Sequence, residues 1–193
     1  MVEPVQDGAK RVEVAKDSEV EMVAIAYHIP DFRHKDQVAL SAISELMSSG
    51  KSSRLQSKII DEKRVANSVY AYSMDLKQPG VFLFMAICNP GIKAEDVEKE
   101  ILKEIEKVKN GDISKEELQK IKTNARADFI FGFESSSSVA NLFGSFAAKG
   151  DLKPILTYEQ NIQQLTKKEI VEVANRYFNK KNSTTVILRK ESK

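Results

Sequence analysis

Hydrophobic residues along the chain follow two patterns, one with the period of a strand and one with the period of a helix. Alternating or short continuous apolar runs that are bounded by turn residues are typical of strands. They predict five strands: KRVEVAK (10–16), VEMVAIAYHIP (20–30), VANSVYAYSMDL (65–76), PGVFLFMAICNP (79–90) and STTVILRK (183–190). Pro79 and Gly80 indicate a turn that joins the third strand to the fourth.

Other segments have apolar residues at helical spacing and predict seven helices. They are 35–49, 52–63, 93–111, 112–133, 135–151, 156–165 and 166–178. The pairs Ser114 with Glu117 and Thr166 with Glu169 match the capping box, which predicts where two of these helices begin. We expect Ser52 or Ser53 to cap the second helix.

The predicted order of elements is therefore β-β-α-α-β-β-α-α-α-α-α-β. Strands joined in pairs by short turns, with helices grouped between them, predict an α+β two-layer sandwich. In it, helices cover one face of an antiparallel-rich or mixed sheet. The chain has 193 residues, which suits one large domain. We expect a single domain over 10–190, with residues 1–9 as a linker or a truncated start.

The composition excludes several classes of protein. Hydrophobic residues at 41% and charged residues at 30% are ordinary for a soluble globular protein and argue against disorder. The formal net charge of +2 arises from 30 basic and 28 acidic residues, so no nucleic-acid partner is indicated. Apolar runs are too short for a transmembrane segment, and no signal peptide is visible at the start.

The residue types that carry most enzyme chemistry are scarce. The one cysteine, Cys88, lies in an apolar run, which favours a buried, inert thiol over a nucleophile. Two histidines, His28 and His34, are too few for most catalytic zinc sites, and no H-E-x-x-H or H-x-x-E-H motif occurs. We expect His28 at the end of a strand with its ring half-buried, and His34 on the surface.

The remaining patterns point the same way. No segment has the G-x-x-x-x-G-K-[ST] frame of a phosphate loop, and no serine lies in a G-x-S-x-G elbow. Composition alone does not exclude a Ser-His-Asp triad. Acidic pairs fall near helix ends or on polar faces, where they favour the helix dipole. The residues alone thus predict an α+β domain with no catalytic residue and no metal ligand.

Two long segments resemble a known family. The segment AYHIPDFRHKDQVALSAISELMSSGKSSRLQSKIIDEKRVANSV (26–69) is similar to the start of the second domain of the pitrilysin/insulinase-like zinc peptidases, or inverzincins. The segments EELQKIKTNARADFIFGFESSSSVANLFGSFAAKGD (116–151) and NIQQLTKKEIVEVANRYFNKKNSTTVILRK (161–190) are similar to the later helices and the closing strand of that domain. The likeness covers residues 10–190.

The resemblance implies a mitochondrial-processing-peptidase-like metallohydrolase fold and a division of labour between two related domains. In the family, the first domain holds zinc through H-x-x-E-H and a distant Glu, and the second, C-terminal domain completes a closed chamber around a peptide. This chain then has no cofactor of its own, and zinc belongs to the N-terminal domain of a parent metallopeptidase. By itself it is expected to be inactive.

The first implied partner is a catalytic zinc-binding domain, in the same chain or in a paired subunit. A peptide substrate is also implied, and the protein is expected to form a dimer. The alternative is a structural or assembly subunit that keeps the fold and has lost proteolysis, as in respiratory complexes. The resemblance leaves the compartment unknown, although exported relatives make the periplasm the first guess.

The resemblance also identifies positions for a substrate-holding pair. In many relatives, the second domain supplies an Arg and a Tyr seven residues apart, which help to hold the scissile carbonyl. Aligning ANSV with the family's A-Y-S-V places the Tyr position at Asn67 and the Arg position at Ile60. Asn67 is thus the one implied substrate-binding residue. The other seven-residue pair, Lys63 and Tyr70, requires a three-residue slip, and we favour the first alignment.

Overall fold

A computed structural model describes residues 6–191, and its strands form a single five-stranded sheet. The strands are β1 (Lys10–Lys16), β2 (Met22–Ile29), β3 (Ala66–Met74), β4 (Gly80–Cys88) and β5 (Ser183–Lys190). Their order across the sheet is β1-β5-β2-β4-β3, with β1 parallel to β5 and every other pair antiparallel. The predicted antiparallel-rich sheet is confirmed.

Helices fill the intervals that the helical spacing predicted. They are α1 (Gln37–Ser48), a π-helix (Gln56–Glu62), α2 (Ala94–Lys109), α3 (Lys115–Phe131), α4 (Ser136–Lys149), α5 (Lys153–Leu156), α6 (Tyr158–Gln164), α7 (Lys167–Tyr177) and a 3₁₀ turn (Lys180–Asn182). Both predicted capping boxes are formed, at Ser114 with Glu117 and at Thr166 with Glu169. No helix within residues 6–191 has the length and hydropathy needed to cross a bilayer.

The core lies between the helices and one face of the sheet, here called the inner face. Along β2 and β4, every second residue is buried, as the strand period requires when one face is covered. Aromatic rings fill the centre of this core, where Phe84 stacks at 4.9 Å from Phe82 and 5.6 Å from Phe178 between ring centroids. Helices therefore cover one face of the sheet, as predicted.

Two predicted helices differ in detail. Residues 56–62 form a π-helix, with bonds such as Lys63 N–H to Lys58 O, and the hydroxyl of Ser53 caps nothing because it has no hydrogen-bond partner among the described residues. The predicted helix 156–165 corresponds to α6, and a short helix that was not predicted, α5, precedes it. The hydroxyl of Thr157 donates to Lys153 O at the junction, and such local bonds compete with helix continuation.

Candidate functional site

The face of the sheet that points away from the helices, here called the outer face, carries apolar side chains from all five strands. Paired residues share a face, so one row runs through Val12, Val186, Ala24, Met85 and Tyr70. Parallel rows carry Val14, Leu188, Met22 and Ile87, then Ala26, Leu83 and Tyr72, then Val81 and Met74. Five strands about 4.8 Å apart make this surface about 19 Å wide.

No described helix or strand buries the outer face. Val12 and Tyr70, at its two edges, keep 50% and 49% of their surface exposed, Val186 keeps 39%, and Ala24 and Met85 between them are half-buried. Soluble monomers rarely expose an apolar patch that spans a whole sheet. The sequence carried a signal for this, because residues 81–88 of β4 are apolar without interruption, a pattern typical of strands covered on both faces. The outer face is therefore an exposed apolar surface and the main candidate site of the domain.

His28 lies at one end of the outer face and is tied to the N-terminal segment. Its Nε2 is 3.2 Å from Gln6 Oε1, and Gln6 Nε2 donates to Ser183 O at 2.8 Å. His34 is exposed on the loop before α1, where its Nδ1 accepts the Asp36 backbone N–H at 3.2 Å. Within residues 6–191, no three His, Cys, Asp or Glu side chains are placed to hold a metal.

The single thiol is placed for packing. Cys88 is fully buried at the end of β4, and burial raises the pKa of its thiol to about 11. A thiol with so high a pKa supplies almost no thiolate near neutral pH, and the thiolate is the nucleophilic form.

The two positions that the resemblance assigned to the substrate-holding pair differ in surroundings. Ile60 is half-buried in the π-helix and packs against the hydrophobic core, so an arginine there would have to leave it. Asn67 is exposed in β3, at a β-bulge between Ala66 and Ser68. Ser68 Oγ donates to Asn67 Oδ1 at 3.1 Å, and the Asn67 amide N–H groups have no partner among the described residues.

The other seven-residue pair is not brought together. Lys63 Nζ forms an ion pair with Glu100 Oε2 of α2 at 2.7 Å. Tyr70 lies on the outer face of the sheet, paired with Met85. Lys63 is thus bound on the helical side of the molecule, away from Tyr70.

The sequence predicted no role for Arg54. The structure shows that its guanidinium group connects two helices. Its Nε and one terminal nitrogen bind the two carboxylate oxygens of Glu117, each at 2.7 Å, and it also donates to Asp112 O. Because Glu117 belongs to a capping box, Arg54 joins the start of the π-helix to the start of α3. The only available signal was the single arginine in the serine-rich loop SSGKSSR.

A cleft of about 590 Å³ lies between α1, the end of β3 and helices α4–α6. Its lining mixes aromatic residues such as Phe32, Tyr72 and Phe146 with cationic and hydroxyl side chains. Inside it, Ser41 Oγ and Tyr158 Oη are 3.3 Å apart. Among the described residues, no serine of the lining is hydrogen-bonded to a histidine or a carboxylate, as a nucleophile would be to its base.

Comparison with known proteins agrees with this arrangement. The sequence profile of the peptidase M16 inactive domain matches residues 2–125. Zinc protease PqqE of Helicobacter pylori is 46% identical over 190 residues, which are 98% of this chain and 43% of that protein. The chain thus spans less than half the length of this relative.

Solved structures give the same result. The crystal structure of a protease from Helicobacter pylori matches with a TM-score of 0.96 and 48% identity, over 98% of this chain and 46% of that one. An inactive peptidase domain from Bordetella parapertussis shares the fold, with a TM-score of 0.81 and 19% identity over 93% of this chain and 97% of that one. The predicted fold and the predicted non-catalytic assignment are confirmed, and the chain belongs to the family of peptidase M16 inactive domains.

Proposed function

We propose that this domain, over residues 10–190 with 1–9 as its linker, forms one wall of a peptide-binding chamber, opposite a zinc-binding half. The outer face of the sheet is the observation that carries the proposal. It is wide, apolar and uncovered by any described element, whereas the inner face is filled by the core. An uncovered sheet face of this size suits contact with an extended chain or with a second domain.

The chemistry of the outer face suits unfolded peptides. Branched and sulfur-containing side chains in its centre accept varied apolar side chains, since methionine adapts its shape to its partner. Tyr70 and Tyr72, at one edge, combine apolar rings with hydroxyls that can bond a peptide backbone. Such a surface favours peptides with exposed apolar residues over folded, charged proteins.

The reaction itself is assigned to the other half of the protein. Residues 6–191 supply no metal-ligand set, so zinc in a parent metallopeptidase would be held by its N-terminal domain, in the same chain or in a paired subunit. The Helicobacter relative is named a zinc protease, which supports such a parent activity. We expect this domain alone to cleave no peptide, and we expect the parent to form dimers.

Asn67 is proposed to contact the substrate. Its amide N–H groups are exposed at a bulge, and bulges re-aim side chains near active sites. One amide donor can bind a substrate carbonyl, although it lacks the charge of the family's usual pair.

The test compares two leucines in the parent protein. Leu83→Asp places a charge on the outer face, and Leu102→Asp places the same charge on the exposed side of α2. We expect zinc-dependent cleavage of an unfolded peptide to be lost in the first variant and kept in the second, with both folded by circular dichroism. Cleavage of the peptide by the Leu83→Asp variant as complete as that by the wild type would refute the proposal that the outer face lines the chamber. A wild-type parent that binds no zinc and cleaves nothing would support the assembly subunit instead.

A further inference from the structure

Residues 129–149 form a helical hairpin, in which the last turn of α3 meets α4, and much of its surface is exposed. No residue of α4 is buried, although its sequence SSSVANLFGSFAAK is largely apolar. At the end of α3, Ile130 and Phe131 keep 53% and 58% of their surface exposed. Apolar side chains on a helix are normally buried against another element, and the described part of the domain leaves those of the hairpin uncovered.

The second helix of the hairpin is also almost free of charge. Residues 135–148 include no Lys, Arg, Asp or Glu, in a chain in which these types make up 30%. The exposed positions of α2, by contrast, are all charged except Leu102. Loss of charged residues is the compositional mark of the buried centre of an interface. The contrast between two surface helices of one domain thus identifies α4 as the one that meets another protein surface.

One side of the hairpin is fixed to the domain and the other is open. Phe133 and Phe143 join its two helices, with ring centroids 6.0 Å apart, and Phe146 lies 6.1 Å from Phe32. On the open side, a Cβ built at Gly144 would meet no atom within 4 Å. Packing within the domain therefore does not require a glycine at this position, in the middle of a helix that glycine weakens.

We infer that the open side of the 129–149 hairpin is the surface by which this domain holds the zinc-binding half of the same protein. The inference rests on the proposed function and deepens it, because a chamber wall must contact the other half of the protein as well as line the chamber. In this arrangement, the outer face of the sheet lines the chamber, and the hairpin contacts the zinc-binding half. Exposed phenylalanine and isoleucine side chains with few charges around them suit an interface that stays closed.

The length of the relatives argues for this occupant. This chain corresponds to 43% of zinc protease PqqE and 46% of the crystallised Helicobacter chain. More than half of each of those chains therefore lies outside the part that this domain matches. The match at a TM-score of 0.96 covers 98% of this chain and therefore includes the hairpin. A covalently linked half is present at high effective concentration, and an apolar surface on this domain will meet it before any other partner.

The test uses the parent protein with a specific protease site placed between its two halves. After cleavage, size-exclusion chromatography shows whether the halves co-elute, and titration calorimetry gives their Kd. The variants are Phe131→Asp and Gly144→Arg, with Gly144→Ala and Leu102→Asp as matched controls. Gly144→Arg enters open space and improves helix propensity, so the released domain should keep or raise its Tm.

We expect the halves of the wild type and of both controls to stay together. In Phe131→Asp and Gly144→Arg, the Kd should rise by about 30-fold or more, as for central interface residues. An unchanged Kd in both variants would overturn the inference. Variants that keep their halves together but turn a dimeric parent into a monomer would also overturn it, in favour of a second copy. Halves that separate as expected in a parent that cleaves no peptide would defeat the proposed function alone.

Discussion

Phe84 and Leu83 are neighbours in β4 whose side chains lie on opposite faces of the sheet, and they provide the sharpest test of this architecture. Phe84 is 0% exposed, and its ring centroid lies 6.2 Å from that of Tyr27 on the inner face. Leu83 is half-buried on the outer face, opposite Ala26 and Tyr72. Replacing each by alanine therefore removes similar chemistry from a closed core and from an open surface.

The expected losses differ several-fold in this domain alone. Phe84→Ala leaves a cavity among aromatic rings and should cost about 3–5 kcal/mol of unfolding free energy. Leu83→Ala removes a half-buried group and should cost about 1 kcal/mol. For a domain of this size, 1 kcal/mol corresponds to about 2–4 °C in Tm, so the two variants should fall by about 6–20 °C and about 2–4 °C.

Urea unfolding followed by circular dichroism measures both losses, and an unchanged m-value shows that the same two states are compared. Equal losses for Leu83→Ala and Phe84→Ala in the isolated domain would refute the assignment of inner and outer faces.

Three further outcomes are expected. A hydrogen bond from Arg189 lowers the pKa of Glu95 from 4.5 to about 2, so this contribution to stability is complete above about pH 4.5 and is lost as the pH falls towards 2. Arg189→Gln should flatten that part of the stability–pH curve measured by urea unfolding. Ser114→Ala and Thr166→Ala each remove a capping box and should cost about 1 kcal/mol in the same assay, whereas a loss near zero would contradict the caps. The isolated domain, purified without chelator, should hold far less than one zinc per chain by atomic absorption, and stoichiometric zinc would contradict its assignment as the metal-free half.

Local patterns were sufficient for most of the fold. Alternation located β1, a short apolar run ended by Pro30 located β2, and the two capping boxes marked where α3 and α7 begin, because these signals depend on neighbouring residues. The parallel pairing of β1 with β5 joins Lys10 to Thr184 across almost the whole chain, and no local pattern specifies it. The π-helix is similar in this respect, since a segment of 7 residues is too short for its apolar spacing to distinguish i→i−5 bonds from the i→i−4 bonds of an α-helix.

The candidate site was less predictable than the fold. A search for catalytic residue types finds reactive groups, and the features that matter here are apolar surfaces without them. The uninterrupted apolar run of β4 and the charge-free segment 135–148 were both visible in the sequence. Each is explained equally well by burial within one domain, and only the placement of the helices shows that both are left uncovered.

The surroundings of Ile60 explain why a helper arginine cannot simply be restored at that position. Ile60 packs against the core from the π-helix, next to Ile59, which is fully buried. An arginine at 60 would have to carry its charge out past this apolar contact, and burying an unpaired cation costs more than one interfacial hydrogen bond returns. Asn67 is different, because it is exposed and Asn67→Tyr requires no change in the core. The two positions of the family pair are therefore not equivalent in this domain. Ile60 packs against the core, whereas the Asn67 side chain presents an amide N–H donor at the surface.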